Sequence, residues 1–157
     1  MRWPNRLKAG TRYPHAISHL DIMPTALGAA SLIPQAQLID GVNLLPYLSG
    51  QTAGAPHNTL IWREGHYQAI LSDGWKMQRS RSPEKIRLFN LAEDPFEKND
   101  LSATRSDKLA ELDRLLNAHN DQQVEPMWPS NVEIPVWIDK SLGDQPTLDD
   151  EFIYWPN

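Results

Sequence analysis

The sequence predicts an α/β chain whose central part is an α+β subdomain, a four-stranded antiparallel sheet packed by one long helix. Three observations support this prediction. Four short apolar-rich segments follow one another between residues 59 and 91, an Asp-Gly pair separates the second from the third, and a leucine-spaced amphipathic segment covers 105–119. Strands so close in the chain are joined by tight turns and therefore pair antiparallel.

The predicted strands are 59–64, 67–72, 75–79 and 86–91. Asp73-Gly74 indicates a two-residue hairpin, since both residue types tolerate the positive φ of a type I′ turn. Gly65 is placed at the first corner and Ser82-Pro83-Glu84 at the third, so an antiparallel meander is expected. Alternation along the strands predicts one apolar face made of Leu60, Trp62, Ala69, Leu71, Trp75, Met77, Ile86 and Leu88.

A helix from Arg105 to about His119 is predicted to cover that face. Its leucines recur at helical spacing, at positions 109, 112, 115 and 116. Thr104 with Asp107 resembles a capping box in which aspartate replaces the usual glutamate.

Further elements are predicted on either side of the sheet and its helix. A helix over 21–32 is predicted to begin at a capping Asp21 with Pro24 in its first turn. That helix is apolar over most of its surface, so we expect it to pack inside something larger. A single helical turn is expected at 44–48. The tail, 124–157, has five prolines and three tryptophans and is interpreted as an extended strap without strand periodicity. The predicted organisation is therefore 1–56, 57–123 and 124–157.

Composition excludes several functional classes. The 157 residues suffice for one domain with a sizeable core, and a net charge of -5 without a basic stripe argues against a nucleic-acid partner. No apolar run approaches the roughly 20 residues of a membrane span, and no apolar stretch typical of a signal peptide follows Met1. Absence of cysteine removes disulfides, thiolate zinc sites and a cysteine nucleophile.

Five short motifs occur in an order that resembles the C-terminal region of sulfatases, the arylsulfatase-like branch of the alkaline phosphatase superfamily. They are Trp3-Pro4 with Ala9-Gly10; Ser18-His19-Leu20-Asp21-Ile22-Met23-Pro24-Thr25; Asp40-Gly41-Val42-Asn43-Leu44; Asp73-Gly74-Trp75-Lys76; and the stretch from Leu88 to Leu101 with Asp94-Pro95, Glu97 and Asn99-Asp100. The ending, with Ile134-Pro135 and Tyr154-Trp155, is similar to bacterial arylsulfatases. The resemblance extends over essentially the whole chain.

This resemblance implies that 1–56 ends a large α/β sulfatase domain and that the sheet and helix form the C-terminal subdomain. It implies a parent protein that hydrolyses sulfate-ester substrates with a formylglycine and calcium. The family forms those groups from a Cys/Ser-x-Pro-x-Arg segment and from Asp/Asn ligands, which lie upstream of the matching region. We therefore assign no catalytic or metal residue here and expect the chain by itself to be inactive. Asp149-Asp150 is expected to be solvated.

The weak candidates for substrate binding are His66 and Tyr67. They lie at a strand corner, where loops often carry binding groups, and the resemblance implies that this loop leans toward the pocket mouth. Arg79, Arg81 and Arg87 either form a small anion-binding patch or belong to a solvated sheet face. Lys76 is expected to lay its stem on the ring of Trp75.

His15, His19 and Asp21 form the other cluster of potential ligands. In an extended segment the two histidines lie more than about 10 Å apart, too far for one metal ion. Ser18, His19 and Asp21 are sequence neighbours, whereas the members of a catalytic triad converge from separate elements. A capping Asp21 with packing or hydrogen-bonding histidines is the favoured interpretation.

Two alternatives remain open from the sequence. One is part of a related phosphodiesterase or phosphonate hydrolase, and the other is a non-catalytic binding or scaffold module. In either case the apolar helix over 21–32 predicts self-association through its exposed face.

Overall fold

The computed structural model describes residues 1–32, 39–124, 127, 133–141 and 143–156. The chain divides into two compact units, Met1–Asn58 and Thr59–Asn157, and each is described by itself.

The first unit contains a 3₁₀ helix, His19–Asp21, that leads directly into α1, Ile22–Ala29, and later a short helix α2, Leu45–Leu48. The helical turn predicted at 44–48 is thereby confirmed. Ser18 caps the 3₁₀ helix, because its hydroxyl accepts a hydrogen bond from the amide of Leu20 at 3.2 Å. The helix predicted over 21–32 is shorter, and Asp21 makes no side-chain cap bond to α1.

In the first unit, α1 leaves part of its apolar surface exposed. Pro24 and Thr25 are the buried residues of α1, whereas Met23 is 54% exposed. Within the first unit this helix therefore turns a polar threonine inward and apolar side chains outward.

The second unit opens with four strands, β1 Thr59–Glu64, β2 Tyr67–Ser72, β3 Trp75–Arg81 and β4 Glu84–Asn90. They pair antiparallel in the order β1-β2-β3-β4, which confirms the predicted meander. Asp73 and Gly74 both have positive φ, 49° and 75°, as the type I′ turn between β2 and β3 requires. β3 ends two residues later than predicted and β4 begins two residues earlier.

One row of paired residues across the sheet runs Ile61, Ile70, Met77, Leu88. The helix α3, Ser106–Asn120, covers this face. Its side chains Leu112 and Leu116 join the buried cluster, whose five members are each at most 1% exposed: Ile70, Met77, Leu88, Leu112 and Leu116. Leu109 and Leu115 pack against the cluster, so the predicted leucine stripe is confirmed.

The predicted capping box of α3 is wrong. Arg105 occupies the N-cap position without a side-chain cap bond, and Thr104 donates its hydroxyl proton to the carbonyl of Leu101 at 3.3 Å. Asp107 accepts hydrogen bonds from the guanidinium of Arg105, at 3.0 and 3.1 Å. The carboxylate of Asp107 is therefore paired with the side chain of Arg105.

Half of the residues predicted to form one apolar face point to the opposite face of the sheet. Leu60 pairs with Leu71 and Leu71 with Lys76, so these residues share the face opposite α3, which we call the outer face. Trp62 and Ala69 also belong to the outer face. β2 carries apolar residues at consecutive positions, Ala69, Ile70 and Leu71, so alternation alone gave the wrong phase.

The tail contains two strands that were not predicted. β5, Glu133–Trp137, pairs antiparallel with β6, Phe152–Pro156, in a separate two-stranded sheet. The interpretation of the tail as a strap without strand structure is therefore wrong here. Prolines at 135 and 156 concealed the pairing, since they are unusual inside strands. Among the helices of the described residues, none is long and apolar enough to cross a membrane.

Candidate functional site

In the first unit, two of the sequence motifs bind each other through the carboxylate of Asp21. It is fully buried and accepts hydrogen bonds from the backbone amides of Ser18 and Val42, each at 2.8 Å. Nε2 of His57 lies 2.8 and 2.9 Å from its two oxygens. Burial by itself raises the pKa of Asp21, but the amides of Val42 and Ser18, together with His57, outweigh it and hold that pKa below its usual value.

The same two motifs also meet at Thr25 and Gly41. Thr25 is buried, and its hydroxyl oxygen accepts a hydrogen bond from the amide of Leu44 at 2.9 Å. A Cβ at Gly41 would lie 2.0 Å from the carbonyl oxygen of Leu20, so only glycine permits this approach. The Asp-x-x-Pro-Thr and Asp-Gly-x-x-Leu motifs are thus in direct contact, which explains why they occur together in one chain.

The structure brings Asp21 together with His57, a residue that no sequence motif indicated. His15 and His19 are exposed, and the ring of His15 packs edge-on against Tyr13 at 5.2 Å. The part of the chain that the structure describes has no group of three His, Cys, Asp or Glu residues able to hold a metal ion. We therefore assign no calcium ligand to the described residues and derive no step through one.

In the second unit, the motif from Leu88 to Leu101 folds into a loop stabilised by its own acidic side chains. Asp94 accepts a hydrogen bond from the amide of Asn99 at 2.7 Å, and Asp100 accepts one from the amide of Leu88 at 3.0 Å. The amide of Leu101 then donates to the carbonyl of Leu88 at 2.8 Å, which closes the loop against β4. These carboxylates satisfy main-chain donors that would otherwise need water, so their role is structural.

Glu97, in the same loop, projects onto the outer face. Its φ is 56°, an uncommon conformation for a residue other than glycine. Its carboxylate binds Nζ of Lys76 at 2.5 Å and Nε2 of Gln78 at 2.8 Å. The expected stacking of Lys76 on Trp75 is wrong, because successive strand residues point to opposite faces. Instead, the guanidinium of Arg105 lies 4.8 Å from the ring centre of Trp75.

A groove of about 300 Å³ lies on the outer face between the sheet, this loop and the two residues that follow β5 in the tail. We call it the outer groove, and its lining includes Tyr67, Gln78, Arg87, Phe89, Phe96, Glu97, Ile138 and Asp139. Of the two candidate substrate-binding residues, Tyr67 contributes to this lining. His66 lies half-buried at the preceding turn and is not part of it.

The hydroxyl of Tyr67 stays protonated over the usual pH range. Burial raises its pKa to about 12, with a further contribution from the negative charge of Glu97, while Arg87 opposes the shift. Tyr67 therefore offers the groove a neutral group that both donates and accepts hydrogen bonds.

The three arginines of the possible anion patch do not converge. Arg79 faces α3 and donates to Asp113 at 2.7 Å, to Asn117 at 2.9 Å and to Gln68 at 2.6 Å. Arg87 lies on the outer face, where it forms an ion pair with Glu151, and Arg81 is exposed near the end of β3. The register of β3 with β4, in which Gln78 and not Arg79 pairs with Arg87, separates them.

The tail is held at the outer face by Glu151. This carboxylate also binds Nζ of Lys85 at 2.8 Å, and the amide of Ile138 donates to the carbonyl of Glu151 at 2.8 Å. Of the pair expected to be solvated, Asp149 is exposed, whereas Asp150 is half-buried and binds Lys140 at 3.0 Å. The outer groove therefore has a sheet floor and a wall from the tail.

The first unit has a cleft of its own, of about 610 Å³, whose lining includes Arg6, Leu7, Asn43, Pro46 and Gln51. The described residues of its lining include one basic side chain and no carboxylate, so they offer no acid–base pair there.

No family model matches the chain. Among curated proteins, the uncharacterized sulfatase YdeN of Escherichia coli is 44% identical over 63 residues, which cover 40% of this chain and 11% of YdeN. Human steryl-sulfatase is 34% identical over 107 residues, 66% of this chain and 18% of that protein. The chain thus spans between about a tenth and a fifth of the length of these relatives.

Solved structures show the same fold. Ps i-CgsB superposes with a TM-score of 0.65 at 28% identity, covering 80% of this chain and 29% of that one. The 2-O GAG sulfatase BT1596 gives 0.58 at 22% identity, with 65% and 24% covered. The phosphonate monoester hydrolase of Agrobacterium radiobacter gives 0.56 at 20% identity, with 73% and 27% covered.

The four-stranded antiparallel sheet with its helix is therefore an architecture shared with these neighbours, as the sequence predicted. Both curated relatives are sulfatases by name. The resemblance to the sulfatase family that the motifs predict is thereby confirmed over the stretch these relatives cover, and there this chain is related to sulfatases.

Proposed function

We propose that this chain is the C-terminal part of an arylsulfatase-like hydrolase and that the whole protein hydrolyses sulfate esters. The 34% identity to human steryl-sulfatase over 107 residues carries the proposal. The mutual binding of the two motifs through Asp21 and Thr25 supports it, because it gives their joint occurrence a physical basis.

In this proposal the chain supplies structure, and the reacting groups come from the preceding part of the protein. A formylglycine and a calcium ion would supply the nucleophile and the sulfate-binding charge there. The sequence given has no cysteine, and its described residues offer no metal cluster, so no reaction step is assigned to them.

Phosphonate or phosphodiester hydrolysis is the second candidate. The phosphonate monoester hydrolase of Agrobacterium radiobacter supports it only at the level of fold, at 20% identity. The curated relatives reported above are named as sulfatases, which favours sulfate-ester hydrolysis for this protein. We therefore rank phosphonate or phosphodiester hydrolysis second.

The decisive experiment is to read the coding DNA upstream of Met1. We expect an open frame that encodes a Cys/Ser-x-Pro-x-Arg segment, and we expect the corresponding longer protein to hydrolyse 4-nitrophenyl sulfate. A different nucleophile context with turnover of a phosphonate ester would favour the second candidate. A stop codon next to a start signal at Met1 would indicate a free-standing binding module instead.

The purified 157-residue chain provides the matching control. We expect no turnover of 4-nitrophenyl sulfate by this chain under any calcium concentration. Turnover at a rate proportional to the chain's concentration would contradict the assignment of the chemistry to other residues.

We also propose that His66 and Tyr67 contact the substrate beyond its sulfate group. In the longer protein, His66→Ala or Tyr67→Phe should raise KM and leave kcat nearly unchanged, since binding remote from the reacting bond is uniform between ground and transition states. Arg81→Lys, an exposed change on the neighbouring strand, is the control. Unchanged KM in both variants would remove these residues from the substrate site.

A further inference from the structure

We propose that the outer groove binds an uncharged, hydroxyl-rich ring, such as a pyranose unit of a saccharide. The inference concerns binding by this chain alone. It therefore stands or falls independently of the proposed hydrolysis.

Two phenylalanine side chains line the groove, Phe96 and Phe89. Phe96 is 79% exposed although it lies on a loop otherwise rich in charged residues, and it lines the groove beside Pro95. Phe89, only 3% exposed, adds a further apolar side chain to the lining. The face of an aromatic ring carries partial negative charge and attracts C–H groups with partial positive charge, which a pyranose presents on its flat side.

Polar groups also line the groove. Tyr67 offers a neutral hydroxyl, and Gln78 and Glu97 offer amide and carboxylate groups. One oxygen of Glu97 binds Lys76 and the other binds Gln78, and a carboxylate oxygen has lone pairs for a second donor. Asp139 adds an exposed carboxylate at the rim. Sugar hydroxyls, which donate and accept, match such a mixed set.

The charged side chains around the groove favour an uncharged ligand over an anion. Three cations around the groove are already paired, Lys76 with Glu97 and both Lys85 and Arg87 with Glu151, and Nζ of a fourth, Lys98, lies 5.8 Å from the ring centre of Phe96. An anionic ligand that bound one of the three paired cations would have to break its pair and would also meet the carboxylates of Glu97 and Asp139. Replacing an existing partner costs the desolvation and pairing energy that a neutral ligand avoids.

The size of the groove agrees with a small ligand. Its volume of about 300 Å³ is at the lower end of the range for small-molecule sites. One ring fits this volume better than an extended chain, so binding should be weak, in the millimolar range typical of small ligands with few contacts.

The test is a titration of the ¹⁵N-labelled 157-residue chain with four neutral trisaccharides, maltotriose, cellotriose, mannotriose and xylotriose. At least one should cause saturable shifts of the amide signals of Gln78, Arg87 and Glu97 at millimolar concentration. Val42, in the first unit, should not shift. If none of the four shifts these amides, the proposal is overturned.

Three variants define the contacts. Phe96→Ala and Phe96→Leu should each weaken binding about tenfold or more, the usual effect of losing a stacked aromatic ring. Tyr67→Phe, which keeps the ring and removes the hydroxyl, should weaken binding severalfold. Val124→Ala removes exposed apolar surface elsewhere and should leave binding unchanged.

A sulfated counterpart of the same saccharide separates this inference from an anion site. The neutral sugar should bind at least as tightly as the sulfated one. Binding of the sulfated sugar alone, or equal binding by Phe96→Ala and the unmodified chain, would overturn the proposal. Because Phe96 is mostly exposed, Phe96→Ala is expected to fold, and unshifted amide signals for core residue Leu112 will verify it.

Discussion

Nε2 of His57 lies within hydrogen-bonding distance of both carboxylate oxygens of Asp21, at 2.8 and 2.9 Å, although the two residues are 36 positions apart. This contact joins the end of the first unit to the start of α1. The same carboxylate accepts the amides of Ser18 and Val42, so one fully buried side chain connects three segments.

Asp21→Asn is expected to destabilise the first unit by about 1–3 kcal/mol, because an amide cannot accept from all three donors and leaves buried groups unpaired. Hydrogen exchange of the Val42 amide should become faster by the corresponding factor. Asp40→Asn, an exposed neighbour in sequence to Val42, should have little effect. Equal protection of Val42 in both variants would contradict the assigned role of Asp21.

The contribution of Asp21 should depend on pH in a defined direction. Its pKa in the folded chain is below the ordinary value of 3.8, so the carboxylate stabilises the fold fully above that value and loses this effect as the pH falls through the lower folded pKa. The difference in unfolding free energy between the unmodified chain and Asp21→Asn should therefore shrink below about pH 4. Urea unfolding at pH 6 to 2, followed by NMR signals of Val42, measures it; a constant difference over this range would argue against the ionised carboxylate.

Truncation of the core leucines should destabilise the second unit strongly. Leu112→Ala and Leu116→Ala each leave a cavity in a cluster that is at most 1% exposed, at an expected cost of about 2–5 kcal/mol. Leu148→Ala is the matched control, since that side chain is fully exposed. Urea unfolding monitored by the amide signal of Met77 provides the measurement. A loss of unfolding free energy no larger than that of Leu148→Ala would contradict the packing of α3 on the sheet.

Arg79→Lys should cost about 1–3 kcal/mol although it conserves charge, because a lysine cannot reproduce the fork that binds Asp113, Asn117 and Gln68. Arg81→Lys, two residues later on the same strand and exposed, should cost almost nothing. Both are compared in the same unfolding experiment. Similar costs for the two variants would show that the guanidinium geometry is unimportant.

The purified chain is expected to self-associate through apolar side chains that the first unit leaves exposed: Ile17, Leu20, Ile22, Met23 and Leu32. Sedimentation velocity at increasing concentration should show growing species, and Ile22→Lys with Met23→Lys should reduce them. Leu148→Lys adds the same charge elsewhere as a control. A single monomeric species at high concentration in the unmodified chain would refute the expectation.

Local signals predicted the meander and α3 of the second unit for identifiable reasons. Asp73-Gly74 determines its hairpin through backbone conformation, and the leucines of α3 recur at the helical period. Each of these signals depends on residues close together in the chain. The phase of β2 was not predictable in this way, since Ala69, Ile70 and Leu71 are all apolar and only the register with β3 selects Ile70 for the face that α3 covers.

The candidate site was predictable only in part. Tyr67 was singled out from its place at a strand corner and does line the outer groove. Phe96 and Glu97 were known only as members of a motif, and no local pattern indicates that their loop returns to the outer face beside Tyr67. His57 was not singled out, because no spacing rule connects it to Asp21.

The sequence by itself determined the meander, its hairpin, the leucine face of α3 and the resemblance to sulfatases, because turn conformation, helical period and motif order are properties of short stretches. Only the tertiary structure decided which sheet face α3 covers and which partners the carboxylate of Asp21 binds. It also decided that β5 pairs with β6 in the tail and that the tail forms one side of the outer groove. These features depend on contacts between distant residues, whose energies are settled by packing and by the pairing of buried polar groups rather than by local preference.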